Sequence, residues 1–188
     1  MNDRMPPLTF EKMTSAQRKA ADELTAGPRK GVKGPFVPLL RTPELMDRLQ
    51  KVGEYLRFRS SLEPRIAELV MLIISREWTQ QFEWGVHVPP AQKAGLAEEI
   101  IRAIGEGRHP PNMKSDEEVA YDFCDELLRT KGICDFTYKR AVTAFGEHGV
   151  IEMVGVAGYF TTVSMVMNVA HTPPPHDSGV SLLQPFPF

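Results

Sequence analysis

The feature that most constrains this chain is a helix-forming segment with no polar side. Residues 69–74 read LVMLII, an uninterrupted apolar run, and Pro64 provides a favourable helix start shortly before it. A helix that is apolar all round has no face suited to water, so it belongs at the centre of a fold. The sequence therefore predicts a buried central helix against which the other elements pack.

The apolar run belongs to a longer, mainly apolar segment, residues 63–95, which also contains titratable side chains. Glu68 lies inside the apolar helix, and Glu83 and His87 follow on a second helix. The i, i+4 spacing of Glu83 and His87 places them on one helical face, which Gln80 joins from three residues earlier. Ionisable groups in an apolar hairpin are typical of functional sites, so this is where we expect chemistry.

Each of these placements also has a purely structural interpretation. An unpaired buried carboxylate is very costly, so Glu68 must be paired, protonated or at the mouth of a cavity, and Arg65 or Arg76 are candidate partners. Glu83 and His87 could form a surface hydrogen bond and nothing more. Trp84, between them, suits the core as well as ligand stacking.

Composition narrows the class of protein. The chain has 188 residues, 42% hydrophobic and 24% charged, which is typical of one globular domain. A net charge of −2 gives no electrostatic reason to expect nucleic acid or an anionic membrane as partner. Two cysteines, Cys124 and Cys134, are too few for a disulfide framework, and the N-terminus lacks the apolar run of a secretory signal. We expect a cytoplasmic protein.

No segment alternates with a period of two, so the sequence predicts an all-α fold of about eight helices. Thr14 and Gln17 form one capping box, Ser115 and Glu118 a second, and Asp135 is expected to cap a later helix. We expect a single domain over residues 1–171 and a proline-rich tail without regular structure over 172–188. The main predicted helices cover residues 15–25, 43–58, 80–88, 97–105, 116–130, 136–145 and 150–170, together with one that begins at Pro64 and includes residues 69–74.

Three details of these helices can be checked directly. The helix over 43–58 is predicted to bury Leu45, Leu49, Val52 and Leu56. Thr79 is expected to cap the helix that carries Glu83, and the pair at 89–90, two prolines, is expected to kink or interrupt it.

The segment over residues 150–170 is long and nearly uncharged. Its uncharged part, residues 154–170, is shorter than the roughly 20 residues that a membrane span needs, and it contains several hydroxyl and amide side chains. We therefore predict a core or subunit-interface helix. Because it carries much apolar surface and Gly155 and Gly158 allow close helix approach, we expect a homo-oligomer.

The stretch GPRKGVKGPF, residues 27–36, has two interpretations. Its density of Gly and Pro suits a solvated surface connection. Alternatively, it forms a lip that closes over an anionic ligand through Arg29, Lys30 or Lys33. The sequence alone leaves both open.

The order and spacing of RIAELVMLIISREW and EWGVHVPPAQKAGL resemble the carboxymuconolactone decarboxylase family, which shares its fold with the alkylhydroperoxidase D-like proteins. The likeness extends from about Thr14 to His171 and includes GPFVPLLRTPEL and FGEHGVIEMVGVAGYFTTVSMVMNVAH. It implies an alkylhydroperoxidase D-like helical bundle, closed homo-oligomers (dimers, trimers or hexamers) and a role in aromatic compound catabolism.

The chain departs from the peroxidase branch where that branch carries its thiols. The branch has the pattern Glu-x11-Cys-x2-Cys-x3-His, whereas this chain reads Glu68-x11-Gln80-x2-Glu83-x3-His87. Thiol peroxidase chemistry needs a reactive thiolate and a resolving thiol, and neither Gln80 nor Glu83 supplies one. The sequence argues against dithiol peroxidase activity, although the family label would suggest an antioxidant function.

The residues that remain can transfer protons. By resemblance, the substrate is a small carboxylated lactone whose ring accepts the electrons left by carbon dioxide, so no cofactor is expected. A metal on the carboxylate-rich set of Glu68, Glu83 and His87 ranks lower, because no further His or Asp lies nearby in sequence. We predict His87 as the acid–base at neutral pH, Glu83 as the group that orients it, Glu68 as a second acid–base, and Gln80 and Trp84 as substrate-binding residues. Isomerisation, lactone hydrolysis or hydration would use the same set. A non-redox binding or assembly module of the same fold is the alternative of another class.

Overall fold

The computed structural model of the protein describes residues 2–175 and 179–185. Within those ranges it contains eight α-helices, a short 3₁₀ turn at Phe10–Lys12 and no β-strand, which confirms the predicted all-α fold. In chain order the helices are α1 (Ser15–Ala26), α2 (Phe36–Leu39), α3 (Pro43–Phe58), α4 (Pro64–Glu77), α5 (Gln81–Lys93), α6 (Glu98–Gly105), α7 (Ser115–Thr130) and α8 (Asp135–Ala170).

α4 is the central helix of the fold, as its apolar run predicts. All six side chains from Leu69 to Ile74 are buried, and the helix packs against α5, α6, α7 and α8. Full burial of one such side chain stabilises a fold by about 1.5–3 kcal/mol, so this helix fixes the arrangement of its neighbours. The hairpin of α4 and α5 places the candidate site at the centre of the molecule.

The prediction for the buried face of α3 was wrong in part. Leu45 and Val52 are 47% and 49% exposed, whereas Met46, Gly53 and Leu56 are buried. The predicted set of side chains and the observed set form two neighbouring stripes on α3. Both sets have the spacing expected of a buried helical face. Packing of Met46 into the cluster of α1 and α2 side chains selects the second stripe.

α5 begins one residue later than predicted and continues through its prolines. Gln80, not Thr79, is the N-cap, because Thr79 has a φ of 45° and an N-cap needs extended backbone. Pro89 and Pro90 lie inside the helix and do not interrupt it. The two prolines remove two backbone donors, but buried side chains on both sides of them, Val88 and Ala91, hold the helix in the core.

α8 consists of two helical parts joined at Gly146, where the sequence predicts a stop. Gly146 has a φ of 67° and interrupts the helical backbone, while the hydrogen bonding continues to Ala170. α8 is long and apolar enough to cross a membrane, but 56% of its most apolar window is buried inside the fold. Its inner face packs against α3, α4 and α7, which agrees with the predicted core helix.

Of the three other capping predictions, one succeeded and two were wrong. Thr14 and Gln17 form the predicted reciprocal capping box. At α7 the N-cap is Lys114, and the Glu117 carboxylate accepts a hydrogen bond from its backbone N–H at 2.7 Å. The predicted box at Ser115 is therefore off by one residue, because Glu117 and not Glu118 turns inward, where it pairs with Arg65. α8 likewise has Cys134 as N-cap in place of Asp135.

The tail has no regular structure in its described parts, residues 172–175 and 179–185, but part of it is packed into the core. Leu183 is only 5% exposed. The side-chain amide of Gln81 donates to the Leu183 carbonyl and accepts from the Leu183 N–H, both at 2.8 Å. Arg76 Nη1 donates to the Gln184 carbonyl at 2.6 Å. Nothing in the local sequence pattern indicates that this segment docks on α5.

Candidate functional site

The site is centred on His87, whose two ring nitrogens both meet carboxylates. Nδ1 lies 2.7 Å from Glu68 Oε2, and Nε2 lies 3.2 Å from Glu83 Oε2. Glu68 comes from α4, and Glu83 and His87 come from α5 at i, i+4 spacing. In the hairpin that α4 and α5 form, Glu68 therefore lies level with His87.

Neither arginine considered as a partner of Glu68 contacts it. Arg65 forms salt bridges with Glu63, Asp116 and Glu117, and Arg76 donates to the backbone carbonyl groups of Gly105 and Gln184. The carboxylate in the apolar helix is therefore paired with the imidazole.

His87 is only 1% exposed, and its ring meets the edge of Phe160 with a centroid separation of 5.0 Å. Burial alone would lower the pKa of His87, because it disfavours the charged imidazolium. Hydrogen bonds to Glu68 and then to Glu83 outweigh burial, so the pKa of His87 lies above its ordinary value of 6.5. The two carboxylates therefore favour the imidazolium form, in which His87 can donate a proton.

A cavity of about 390 Å³ opens beside this cluster. Glu83 and His87 line it, whereas Glu68 contacts the imidazole without belonging to the wall. The predicted roles of Glu68 as a second acid–base and of Glu83 as the group that orients His87 stay predictions, since both carboxylates meet the ring. The wall is formed by Pro28, Arg29, Gly31, Lys33, Pro35, Phe36, Arg57, Phe58, Phe82, Glu83, Val86, His87, Tyr159, Phe160 and Val163.

Gln80 is not placed as a substrate-binding residue. Its Oε1 accepts from the Phe82 N–H at 2.6 Å, and its Nε2 donates to Asn168 Oδ1 at 2.8 Å. Both polar ends of the amide are therefore occupied by the fold, and the residue is absent from the cavity wall. Gln80 caps α5 and ties it to α8.

Trp84 also points away from the cavity beside His87. Its ring lies against Gly105, where an added Cβ would be 3.0 Å from the indole, and Leu183 packs at the same place. Because α5 turns Glu83 and His87 toward one side, Trp84 falls on the other. Its role in the structure is core packing between α5, α6 and the docked tail.

The loop over residues 27–35 does line the cavity, as the lip interpretation requires. Arg29 and Lys33 belong to its wall, and Lys30 does not. The cavity wall also contains four residues that no sequence pattern indicates as site residues: Arg57, Phe58, Tyr159 and Phe160. They come from the end of α3 and the middle of α8, and only the packing of these helices against α5 brings them together.

The two cysteines lie outside the site. Cys124 is buried in α7, and burial, with a smaller contribution from Asp125, raises the pKa of its thiol to about 12. Cys134 is exposed at the start of α8, near Glu126. Neither residue lines the cavity, so neither stands in for the missing thiols of the peroxidase pattern. Among the described residues, no group of three His, Cys, Asp or Glu side chains is arranged to hold a metal ion.

No known protein-family profile matches the chain, and no curated protein matches it. Solved structures do match. A peroxidase-related protein from Silicibacter sp. TM1040 is similar with a TM-score of 0.73 at 10% identity, covering 95% of both chains. A peroxidase-related protein with an alkylhydroperoxidase AhpD core, from Ralstonia eutropha JMP134, has a TM-score of 0.70 at 11% identity, covering 93% of both chains.

A third similar structure is an Agrobacterium tumefaciens protein of unknown function that is linked by name to the antioxidant defence protein AhpD. It has a TM-score of 0.65 at 18% identity and covers 74% of this chain and 96% of its own. At such low identities the likeness concerns the fold and not the chemistry. With its eight helices and these neighbours, the chain has the alkylhydroperoxidase D-like all-α fold.

Proposed function

We propose that this chain is a cofactor-independent lyase or isomerase that acts on a small carboxylated lactone or a related acid by acid–base chemistry. The observation that carries the proposal is the position of His87, held between Glu68 and Glu83 at the wall of a cavity large enough for a small molecule. A raised pKa favours the protonated imidazole, and Glu83 lines the cavity beside it.

In a decarboxylation the carbon–carbon bond to the carboxylate breaks, and its electron pair moves into the conjugated carbonyl group of the substrate. The dienolate then takes a proton at carbon from the His87–Glu83 pair, which regains one from solvent. The electron pair of the broken bond ends in the new carbon–hydrogen bond, so the balance needs no oxidant. In an isomerisation the same pair removes a proton from one carbon and returns it to another.

The test is proton exchange at carbon. Wild-type protein is incubated in D₂O with a panel of lactones, oxo-acids and aromatic acids, and deuterium uptake and product formation are followed by NMR. We expect Glu83→Gln and His87→Asn each to reduce the rate by about 10²-fold or more, as loss of a general acid or base does. Glu98→Gln, the same change at an exposed position of α6, is the control. A panel without exchange or turnover would contradict the proposal.

The names of the structural neighbours favour an alternative, an alkylhydroperoxidase-like antioxidant activity. That chemistry starts from a thiolate of low pKa. In this chain Gln80 and Glu83 occupy the positions that the resemblance gives to the thiols, and the pKa of the Cys124 thiol is raised, not lowered. We therefore rank acid–base chemistry above it.

A binding or assembly module without catalysis is favoured by one observation. Both nitrogens of His87 are already hydrogen-bonded, an arrangement that also cross-links α4 and α5 structurally. Acids that bind in the cavity without any exchange or turnover would support this function over the enzyme.

A further inference from the structure

Arg29 is a partly buried cation that forms no salt bridge with a carboxylate in the described part of the fold, residues 2–175 and 179–185. Its Nε and Nη2 atoms are buried and make no hydrogen bond. Its guanidinium stacks on Phe36, 4.5 Å from the ring centroid. Burial lowers the pKa of Arg29, although the nearby Tyr159, Glu83 and Glu54 act in the opposite direction. A desolvated charge of this kind is costly, and an anion bound beside it would remove that cost.

Two glycines make room for this arrangement. A Cβ on Gly53 of α3 would lie 2.2 Å from the Tyr159 hydroxyl and 2.6 Å from Arg29 Nη2. In the loop, Gly34 has a φ of 54°, and its Cβ would lie 2.3 Å from Phe82. Side chains at these positions would displace the groups that form the cavity wall. A loop that merely connects two helices on the surface requires neither close approach.

The charges around the cavity favour an anion. Three cations, Arg29, Lys33 and Arg57, and one carboxylate, Glu83, line it, so the charged residues of the wall sum to +2. His87, when protonated, is paired with Glu68 outside the wall. A concave site with one sign of charge concentrates ligands of the opposite sign.

The rest of the wall is aromatic. The cavity volume of about 390 Å³ lies near the lower end of the roughly 300–1,000 Å³ range of small-ligand pockets. A small hydrophilic dianion would leave the ring surfaces without a partner. The aromatic side chains are Phe36, Phe58, Phe82, Tyr159 and Phe160.

We propose that this cavity binds an amphipathic organic acid, with its carboxylate on Arg29 and its apolar, unsaturated body against the aromatic wall. Arg57 and Lys33 add long-range attraction at the cavity wall, and the apolar body brings a carbon of the ligand to Glu83 and His87. This inference rests on the proposed function and names its substrate class: acids with an aryl or similar apolar group, in preference to small polar dicarboxylates.

The test measures binding without turnover. Titration calorimetry with wild-type protein compares 3-phenylpropanoate, its neutral amide and succinate, which is an acid without an apolar body. We expect 3-phenylpropanoate to bind about ten-fold or more tightly than either of the others, because a charge-assisted hydrogen bond contributes about that factor. Equal binding of acid and amide, preferential binding of succinate, or no binding of the aryl acid at millimolar concentration would each overturn the proposal.

Variants assign the interaction to Arg29. Arg29→Gln should weaken 3-phenylpropanoate binding by about ten- to hundred-fold and leave amide binding unchanged. Arg48→Gln removes the same charge from an exposed position of α3 and should have no effect. Acid binding that is unchanged in Arg29→Gln would overturn the proposal. If Arg29→Gln fails to fold, the comparison of 3-phenylpropanoate with its amide on wild-type protein still tests whether the cavity prefers a carboxylate.

The outcomes separate this inference from the proposed function. Glu83→Gln should keep the acid preference while losing proton exchange. Arg29-dependent acid binding without exchange in any panel compound would leave the acid site standing and remove the proposed enzyme. Exchange on a carboxylated panel compound that Arg29→Gln leaves unchanged, with equal binding of 3-phenylpropanoate and its amide, would keep the proposed enzyme and remove the acid site on Arg29.

Discussion

Glu68 Oε2 lies 2.7 Å from His87 Nδ1, although nineteen residues separate them in the chain. The carboxylate is not among the residues that line the cavity, whereas the imidazole that it contacts is. The other ring nitrogen, Nε2, meets Glu83. The pKa of His87 thus depends on a residue outside the cavity wall.

We predict that Glu68→Gln lowers the pKa of His87, because it removes the larger of the two hydrogen-bond contributions that oppose burial. A histidine whose folded pKa is raised stabilises the fold fully below its unfolded value of 6.5, and this contribution is lost as pH rises through the folded pKa. Wild-type protein should therefore lose free energy of unfolding as pH rises between the unfolded and folded pKa values of His87. The loss is about 1.4 kcal/mol for each pH unit between those two values, and Glu68→Gln should lose less.

NMR titration of the His87 ring and urea unfolding across neutral pH check this prediction together. Glu77→Gln, at an exposed position of the same helix, is the matched control and should behave like wild type. An identical His87 titration in wild type and Glu68→Gln would show that the carboxylate does not set the charge of the ring.

We predict no dithiol-dependent peroxidase activity. A reactive thiolate needs a low pKa and access, whereas Cys124 is buried with its pKa raised to about 12 and Cys134 lies away from the cavity. Peroxide consumption with a thiol reductant should stay near background, equally in wild type, Cys124→Ser and Cys134→Ser. Efficient turnover that either substitution abolishes would show that a thiol does the chemistry after all.

Two adjacent leucines of the tail should differ sharply in their effect on stability. Leu183 is 5% exposed and packs near Trp84 and Gly105, whereas Leu182 is 55% exposed. Leu183→Ala should lower the free energy of unfolding by about 2–5 kcal/mol, the range for buried leucines, while Leu182→Ala should change it little. Urea denaturation measures both. Equal effects would mean that the tail is not docked in solution.

The outer face of α8 leads us to predict self-association. Ile151, Val154, Met165 and Val169 are exposed on it, and an added Cβ on Gly158 would meet nothing within 4 Å. Contiguous apolar surface of this kind usually marks an interface. Light scattering at micromolar concentration should give a multiple of the chain mass, which Val154→Glu should reduce and Thr143→Glu, an exposed change on the same helix, should not. A monomeric wild-type mass would contradict the expected homo-oligomer.

The sequence predicted what depends on local spacing. The apolar run of α4 and the i, i+4 pair of Glu83 and His87 were enough to identify the central helix and the cluster. What it could not predict depends on how separate helices pack. Arg57 and Tyr159 reach the cavity only because α3 and α8 pack together. The lack of a side chain at Gly53 matters only because of that contact, where a Cβ would collide with Tyr159.

Side-chain direction was the other source of error. Gln80 and Trp84 lie close to Glu83 in sequence, and proximity suggested a shared role. In the folded chain the amide of Gln80 is hydrogen-bonded to the backbone at the start of α5 and to Asn168, and Trp84 faces α6. The direction of a side chain from a buried helix is decided by neighbours on every side, which one segment does not reveal.

The docking of Leu183 on Gln81 has a consequence for the order of folding. The hairpin that joins Glu68 to His87 spans nineteen residues, whereas the contact between Gln81 and Leu183 spans 102. Closing the longer loop has the greater entropic cost, and contacts distant in sequence form slowly. We therefore expect α4 and α5 to assemble the acid–base cluster first. The outer side of α5 then stays open to water until the tail arrives, so the acid–base cluster comes together before the helix that carries Glu83 and His87 is fully covered.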